Sequence, residues 1–320
     1  MATINSILGE LDTSELGFTL THEHIWQSAA GVNATYPEFF DREAIVERAV
    51  ALLREARDEG VRTAVDVTTM DLGRDIVLTK DVAERSGVNI IAATGFWTDI
   101  PRIFWGADPD EVAALFVREI EDGIEGTGIK AGIIKVASND SVEDGLTPAA
   151  EVVFRAASRA SRRTGVRITT HTQAPVRTGD LQVAVFESEG VDLSTVCIGH
   201  SNGTTDLDYL IGLAAKGVWL GLDIYPGGPV PQSLDWEQRT EVAKQLIDAG
   251  YADQIMLSHD WCVIKPWGSR EAQEQVQRRN PDGYLFITRR VLPRLIESGC
   301  TQEMLDRIMT DNPRRFFEGS

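Results

Sequence analysis

The sequence predicts an α/β fold and, within that class, a (β/α)8 TIM barrel. Three observations predict it. Short β-rich runs alternate with amphipathic helical runs along the whole chain, the β-rich runs number eight, and 320 residues suit a barrel of about 250 residues plus insertions. Strands that alternate with helices must pair in parallel, because each return to the same edge needs a crossover. A doubly wound open sheet is the alternative arrangement.

Taken in order, the candidate strands are rich in the β-branched and bulky apolar residues that pleated sheets favour. Gly17–His24 carries Phe18 and Leu20 among threonines, and Arg62–Thr69 carries Val65 and Val67. Asn89–Thr94 holds Ile90 and Ile91, and Gly132–Ser138 holds Ile133, Ile134 and Val136. Arg167–Thr172 and Val196–Ser201 follow, then Val218–Tyr225 and Ile255–Asp260. Helical stretches separate them: Arg42–Glu59, Pro109–Ile124, Ala149–Arg163, Asp206–Lys216, Trp236–Ala249 and Thr288–Ser298. In the first of these, Ile45, Val46, Ala49, Leu52 and Leu53 have the spacing of one helix face. No linker-like shift in composition interrupts the rhythm, so residues 1–320 are expected to form a single domain. Tyr225–Asp235 and Trp261–Tyr284 are long for barrel loops and follow late strands, so both are expected over the C-terminal mouth.

Hydrophobic residues make up 42% of the chain and charged residues 25%, ordinary values for a soluble enzyme with a sizeable core. With 31 basic and 49 acidic residues the formal net charge is −18, which repels polyanions, and no nucleic-acid partner is expected. The cysteines, Cys197, Cys262 and Cys300, are sparse and odd in number, which fits a reducing compartment better than a disulfide scaffold. Met1 to Leu16 lacks the features of a signal peptide, and no apolar run reaches the roughly 18 residues of a membrane span. A cytoplasmic protein with no membrane partner is the expectation.

All five histidines, His22, His24, His171, His200 and His259, fall at or near the C-terminal end of a candidate strand. In Thr21-His22-Glu23-His24, residues two apart share a strand face, so both imidazoles point one way and Glu23 the other. Facing into the barrel, the pair can bind one cation at about 2.0–2.1 Å. His171 and His200 end neighbouring strands and can hold a second. Asp260 ends the eighth strand beside the first, where a metal ligand or a helix cap is the natural role. Lys135 interrupts the apolar run Gly132-Ile133-Ile134-Lys135-Val136, an expensive place for a charge. A snorkelling side chain, an ion pair or a carbamylated lysine would each explain it.

These residues together resemble the phosphotriesterase family of the amidohydrolase superfamily, including its lactonase branch. The similarity runs from about Ile4 to Phe317. It is carried by Gly17-Phe18-Thr19-Leu20-Thr21-His22-Glu23-His24, Ala92-Ala93-Thr94-Gly95-Phe96-Trp97, Ala131-Gly132-Ile133-Ile134-Lys135-Val136-Ala137, Thr170-His171-Thr172, Ile198-Gly199-His200-Ser201, Ser258-His259-Asp260-Trp261 and Asn280-Pro281-Asp282-Gly283. The resemblance implies two divalent metal ions, zinc first, with cobalt, manganese or iron as alternatives. His22, His24 and Asp260 would hold one, His171 and His200 the other, and Lys135, as N6-carboxylysine, would bridge both. A hydroxide between the metals would attack the substrate, with Asp260 taking its proton.

The chain departs from the family pattern in the proton relay. Asn202 and Gly203 stand where phosphotriesterases have an acidic residue, and Ile224 follows Leu222-Asp223 where a His or Arg is usual. Trp97 is as in phosphotriesterases, whereas Ser258-His259-Asp260 and the compact loop after Tyr225 look like the lactonase branch. Trp97, Tyr225, Trp261 and Cys262 are expected to line the substrate pocket, with Phe104, Trp105 and Trp267 as further candidates. The expected activity is hydrolysis of a small neutral lactone or carboxylic ester, with an organophosphate triester as the alternative. An amide hydrolase and a non-catalytic metal-binding barrel are more distant readings. The resemblance also implies a homodimer.

Overall fold

The computed structural model describes residues 2–227, 233–263, 274–275 and 278–319. An antiparallel pair, β1 (Thr3–Ser6) and β2 (Gly9–Asp12), precedes eight strands: β3 (Phe18–Glu23), β4 (Val61–Asp66), β5 (Asn89–Phe96), β6 (Ile133–Ala137), β7 (Ile168–His171), β8 (Val196–Ile198), β9 (Trp219–Leu222) and β10 (Ile255–Leu257). β3 to β10 pair in parallel in chain order, as the alternating pattern requires. The expected barrel is present, and the open sheet is excluded because the two edge strands meet. At that seam the Asp260 N–H donates to His22 O at 3.0 Å and the His24 N–H donates to Trp261 O at 2.8 Å. The His22 N–H donates to Ser258 Oγ at 2.9 Å, and His24 and Cys262 form an isolated parallel bridge.

Several strands end earlier than the apolar runs suggest. β8 stops at Ile198, before His200, and β10 stops at Leu257, before Asp260. Both residues take left-handed backbone angles, φ 59° at His200 and φ 52° at Asp260, which ends the extended pairing there.

The period-two alternation decides which side chains enter the barrel. Val65 and Val67, Ile91 and Ala93, Ile133, Cys197, Trp219 and Met256 form the interior cluster. Their neighbours Ala64, Ile90, Ala92, Ile134, Val136, Ile198, Leu220 and Leu257 face outward into the larger core beneath the helices. Counting in twos from Ile133 puts Lys135 inside, and counting from Trp219 puts Asp223 inside. Helices cover the outer face, the longest being Arg42–Asp58 and Pro148–Thr164. Asp41, Asp75, Asp206 and Asp235 each cap a helix start by accepting a backbone N–H, contacts worth about 1 kcal/mol apiece.

The β1–β2 pair, which the sequence pattern does not reveal, closes the N-terminal end of the barrel. Ile4, Leu11 and Leu16 join the interior cluster from below, together with Phe316 and Phe317 of the C-terminal helix. The Asn5 side chain donates to Ala131 O at 3.0 Å, and a Cβ on Gly132 would lie only 2.2 Å from Asn5 O. One end of the barrel is thus filled with apolar side chains, while among the described residues the other end holds a cavity. No helix of the described residues is long and apolar enough to cross a membrane.

Candidate metal centre

Six of the expected residues meet at the open end. His22 comes from β3 and His24 from just beyond its end, Lys135 from β6, His171 from β7, and His200 and Asp260 from the turns just after β8 and β10. Lys135 Nζ lies 2.8 Å from His22 Nε2, His200 Nε2 lies 2.7 Å from His171 Nδ1, and His24 Nε2 lies 3.2 Å from Asp260 Oδ1. His22, His200 and Asp260 present donor atoms within 4.8 Å of one another, a group that can hold a metal ion. A cavity of about 430 Å³ opens above them, lined by these six residues with Gln27, Ser28, Leu72, Trp97 and Asp99 among its walls.

Each ring is held from behind. Asp223, which sequence reasoning did not assign to the site, reaches two of them. Its Oδ1 lies 2.7 Å from His200 Nδ1 and its Oδ2 lies 2.9 Å from His22 Nδ1. The same Oδ1 accepts the His200 backbone N–H at 2.7 Å, which supports the left-handed turn there, a conformation costing about 1–2 kcal/mol. The His24 Nδ1 contacts Thr68 Oγ1 at 2.7 Å, and the Thr68 hydroxyl donates to Asp66. The His171 Nε2 contacts Asn139 Oδ1 at 2.8 Å. A carboxylate on Nδ1 keeps the proton on that nitrogen and leaves Nε2 a bare lone pair aimed inward.

Two glycines make room for this packing. A Cβ on Gly95, at φ 111°, would sit 1.9 Å from Lys135 O, and one on Gly221 would sit 2.5 Å from Asp223 Oδ2.

Burial sets the charge states. It pushes the Lys135 ammonium down to about 8, and it pushes His22 down to about 4, aided by the nearby Lys135. His171 falls well below the ordinary imidazole range through burial and then through His200 and Lys135. Burial alone would raise Asp223 and Asp260, but neighbouring imidazoles outweigh it and hold both below the usual carboxylate range. The centre therefore holds two imidazoles that resist protonation, His22 and His171, an amine close to neutrality and the ionised carboxylates of Asp223 and Asp260. Such a set of nitrogen and oxygen lone pairs suits a divalent cation of the zinc type.

Not every expectation holds. Of the four pocket residues, Trp97 lines the cavity and stands edge-on to His171 with ring centroids 5.7 Å apart. Tyr225, Trp261 and Cys262 do not line it; they are 1%, 9% and 3% exposed. Tyr225 and Trp261 pack into the outer core, and Trp261 and Cys262 are spent on the backbone seam to His24. Phe104 lines a different cavity, Trp105 is 58% exposed, and Trp267 lies outside the described residues, as does most of the loop after Trp261.

The fifth histidine is also apart from the centre. His259 Nδ1 lies 2.6 Å from Glu23 Oε1, and both side chains are fully buried. The Glu23 carboxylate further accepts the Ser258 hydroxyl and the His259 and Trp261 backbone N–H groups. Glu23 does face away from His22 and His24, as the alternation requires.

A family model described as the phosphotriesterase family matches residues 2–317. A phosphotriesterase homology protein of Mycobacterium tuberculosis is 40% identical, the match covering 99% of this chain and 98% of that one. An aryldialkylphosphatase of Saccharolobus solfataricus is 35% identical, with 96% of each covered. A solved structure of the phosphotriesterase from Mycobacterium tuberculosis superposes with a TM-score of 0.91 at 40% identity, covering 99% of this chain and 98% of that one.

Proposed function

Because the chain belongs to the phosphotriesterase family, we propose that it is a hydrolase of small neutral lactones or carboxylic esters that works with two divalent cations, zinc first. The observation that carries this reading is the group of His22, His200 and Asp260, whose donor atoms lie within 4.8 Å of one another, with Asp223 close to Nδ1 of both rings. We assign His22, His24 and Asp260 to one cation, His171 and His200 to the other, and a carbamylated Lys135 to both. When bound, such a pair lowers the pKa of a shared water and polarises the substrate's C=O or P=O.

The chain's own groups do the rest. Asp260, its side chain 32% exposed to the cavity, is placed to take a proton at its carboxylate and return it to the departing alkoxide. Trp97 supplies an apolar wall beside His171, and Leu72 extends it. The filled barrel floor closes one end, so substrate is read as reaching the site from the C-terminal end of the strands. Residues 1–320 are read as one hydrolase domain, since both terminal segments pack into the same barrel end. The homodimer stays part of the proposal: Phe39, Ile103 and Trp105 are 72%, 81% and 58% exposed, surface that a second copy would cover.

The ester preference rests on Asn202. Its Oδ1 accepts the Ile224 N–H at 3.2 Å, and its carbonyl accepts Arg239 Nη1 at 2.6 Å. The place of an acidic relay is thus given to a neutral backbone tie. An ester needs little relay, because Asp260 returns its proton when the tetrahedral oxyanion collapses. Phosphotriester hydrolysis is the second reading, favoured by the apolar Trp97 wall, which suits aryl groups equally well. The test is a hydrolysis screen of metal-loaded enzyme across lactones, aryl esters and aryl dialkyl phosphates, with chelated enzyme as control. A higher kcat/KM for a lactone or ester is expected. An aryl dialkyl phosphate that beats every ester reverses the order, and full activity after complete metal removal overturns the mechanism.

A further inference from the structure

The cavity over the metal centre has two kinds of wall. Trp97 and Leu72 are apolar, whereas Gln27 and Ser28, which follow β3, and Asp99, which follows β5, are polar. Gln27 and Ser28 are 6% and 3% exposed, and Asp99 is exposed. Among the described residues, the Gln27 carboxamide, the Ser28 hydroxyl and the Asp99 carboxylate have no hydrogen-bond or ion-pair partner. Their polar atoms are not sealed off, so a molecule in the cavity can reach them. Buried polar side chains are normally paired, and here the cavity is the space left for a partner.

The loops that carry these groups are tied to one another. The Ser28 N–H donates to Leu72 O at 2.8 Å, and the Asn33 amide donates to Gly73 O at 2.8 Å. The Trp97 N–H donates to Asp71 Oδ1 at 3.0 Å, and that oxygen also accepts the Thr69 hydroxyl at 2.5 Å. A Cβ on Gly73 would lie 2.6 Å from Ala29 N, so the loops after β3 and β4 touch closely. The polar groups are therefore held in place before any ligand arrives, which lowers the cost of binding.

We propose that Gln27, Ser28 and Asp99 form a subsite for hydroxyl groups, and that the substrate is a neutral, polyhydroxylated lactone of about twelve non-hydrogen atoms. The proposal rests on the hydrolase reading above and names its substrate class. The balance of donors and acceptors supports it. Gln27 offers two donors and an acceptor, Ser28 one donor and an acceptor, and Asp99 acceptors only. A hydrocarbon chain would leave all three idle, and a single amide would serve two at most. Hydroxyls donate and accept at once, so several on one ring match the mixed set. No Lys or Arg other than Lys135 stands among the described lining residues, and Asp99 repels anions, so a carboxylate or phosphate on the substrate is disfavoured. Trp97 gives the C–H face of the ring an apolar surface. Ring opening adds a water oxygen to the carbonyl carbon and breaks that carbon's bond to the ring oxygen. The proton held by Asp260 goes to that oxygen, which becomes one more hydroxyl, and the new acid loses its proton to solvent.

The experiment compares γ-caprolactone with D-galactono-, D-glucono- and D-mannono-1,4-lactone, which add hydroxyls to the same carbon skeleton. The proteins are metal-loaded wild type, Gln27→Leu and Asp99→Ala, with metal content checked by elemental analysis. In the wild type the best hydroxylated lactone should exceed γ-caprolactone in kcat/KM by about tenfold or more. Gln27→Leu should lower that ratio about three- to tenfold and Asp99→Ala about tenfold, the worth of one neutral and one charged hydrogen bond. The corresponding 1,4-anhydrohexitols keep the hydroxyls but have no carbonyl, and their binding is read by ligand-observed NMR. At least one should bind the wild type with a dissociation constant below about 10 mM and bind both variants more weakly. γ-Caprolactone ahead of every hydroxylated lactone, or the same ratio and the same anhydrohexitol affinity in all three proteins, overturns the proposal. Anhydrohexitol binding that weakens as expected, with no lactone or ester opened, keeps the subsite and overturns the hydrolase reading instead.

Discussion

The amine of Lys135 lies 2.8 Å from Nε2 of His22, with both side chains buried in the barrel interior. Two basic groups at that distance cannot both carry a proton at low cost, and burial already disfavours charge on either. At pH 7 an amine held down to about 8 is neutral in roughly one molecule in ten, against about one in 3,000 for an ordinary lysine. Carbon dioxide reacts with the neutral form. Metal-free protein given labelled carbon dioxide should therefore form the carbamate, with a rate at fixed dissolved carbon dioxide that rises about five- to tenfold from pH 7 to 8.5 and levels off above pH 9. Carbon-13 NMR checks it. Lys135→Ala should lose metal and activity and regain part of both with a short carboxylic acid. A rate that does not change with pH, or no labelled carbamate at all, contradicts this.

Asp223 is expected to matter more for metal binding than for the reaction itself. Asp223→Asn keeps the shape but removes the charge that fixes the protons on His22 and His200. Metal affinity should fall about 10- to 100-fold, read by competition with a chelator, while kcat at saturating metal changes far less. Unchanged affinity would mean the two rings hold their orientation without it.

Asp260→Asn separates proton transfer from metal binding. Turnover should drop at least about 10²-fold with both metals retained by elemental analysis. Near-normal turnover with full metal content would show that the proton leaves by another route.

Glu23, between His22 and His24 in the chain, is expected to act on stability. Its buried carboxylate receives the Ser258 hydroxyl, two backbone N–H groups and the His259 ring. Glu23→Gln turns an amide N–H₂ toward donors and leaves several of them unpaired. Each buried donor left unsatisfied typically costs about 1–3 kcal/mol. Denaturant unfolding of the metal-free proteins measures it, and a loss under about 1 kcal/mol would show that water has taken over the lost contacts.

Reading the sequence recovers the barrel because alternation and strand count are local patterns, and it recovers His22, His24, Lys135 and His171 because they follow that alternation, whereas His200 and Asp260, in the turns after β8 and β10, are legible through the motifs around them. Lys135 is inside simply because Ile133 is. It fails where the backbone leaves the strand. Beyond Asp260, at φ 52°, counting in twos no longer says which way a side chain points, and Trp261 and Cys262 turn out to serve the seam instead of the pocket. Asp223 escaped because an acid after an apolar strand looks the same whether it caps, ligates or orients. Only the closed barrel reveals that it reaches the rings of His200, just after β8, and His22, on β3. The β1–β2 pair escaped because four-residue strands carry too little periodicity to register.

The seam between β3 and β10 bears on how the protein comes into being. A nascent chain that has reached Gly250 already contains His22, His24, Lys135, His171 and His200, five of the six clustered residues. It still lacks the strand that covers the free edge of β3 and the backbone groups that His22 and His24 bond to. His22 and His24, the first of the six made, must wait for Asp260, the last, through most of the time the ribosome spends on the chain. Until then the β3 edge is exposed and the centre has no carboxylate from Asp260. On the two-cation reading, metal capture by the complete centre would belong to the final stage of synthesis, and a chain stalled before β10 would leave the β3 edge unprotected.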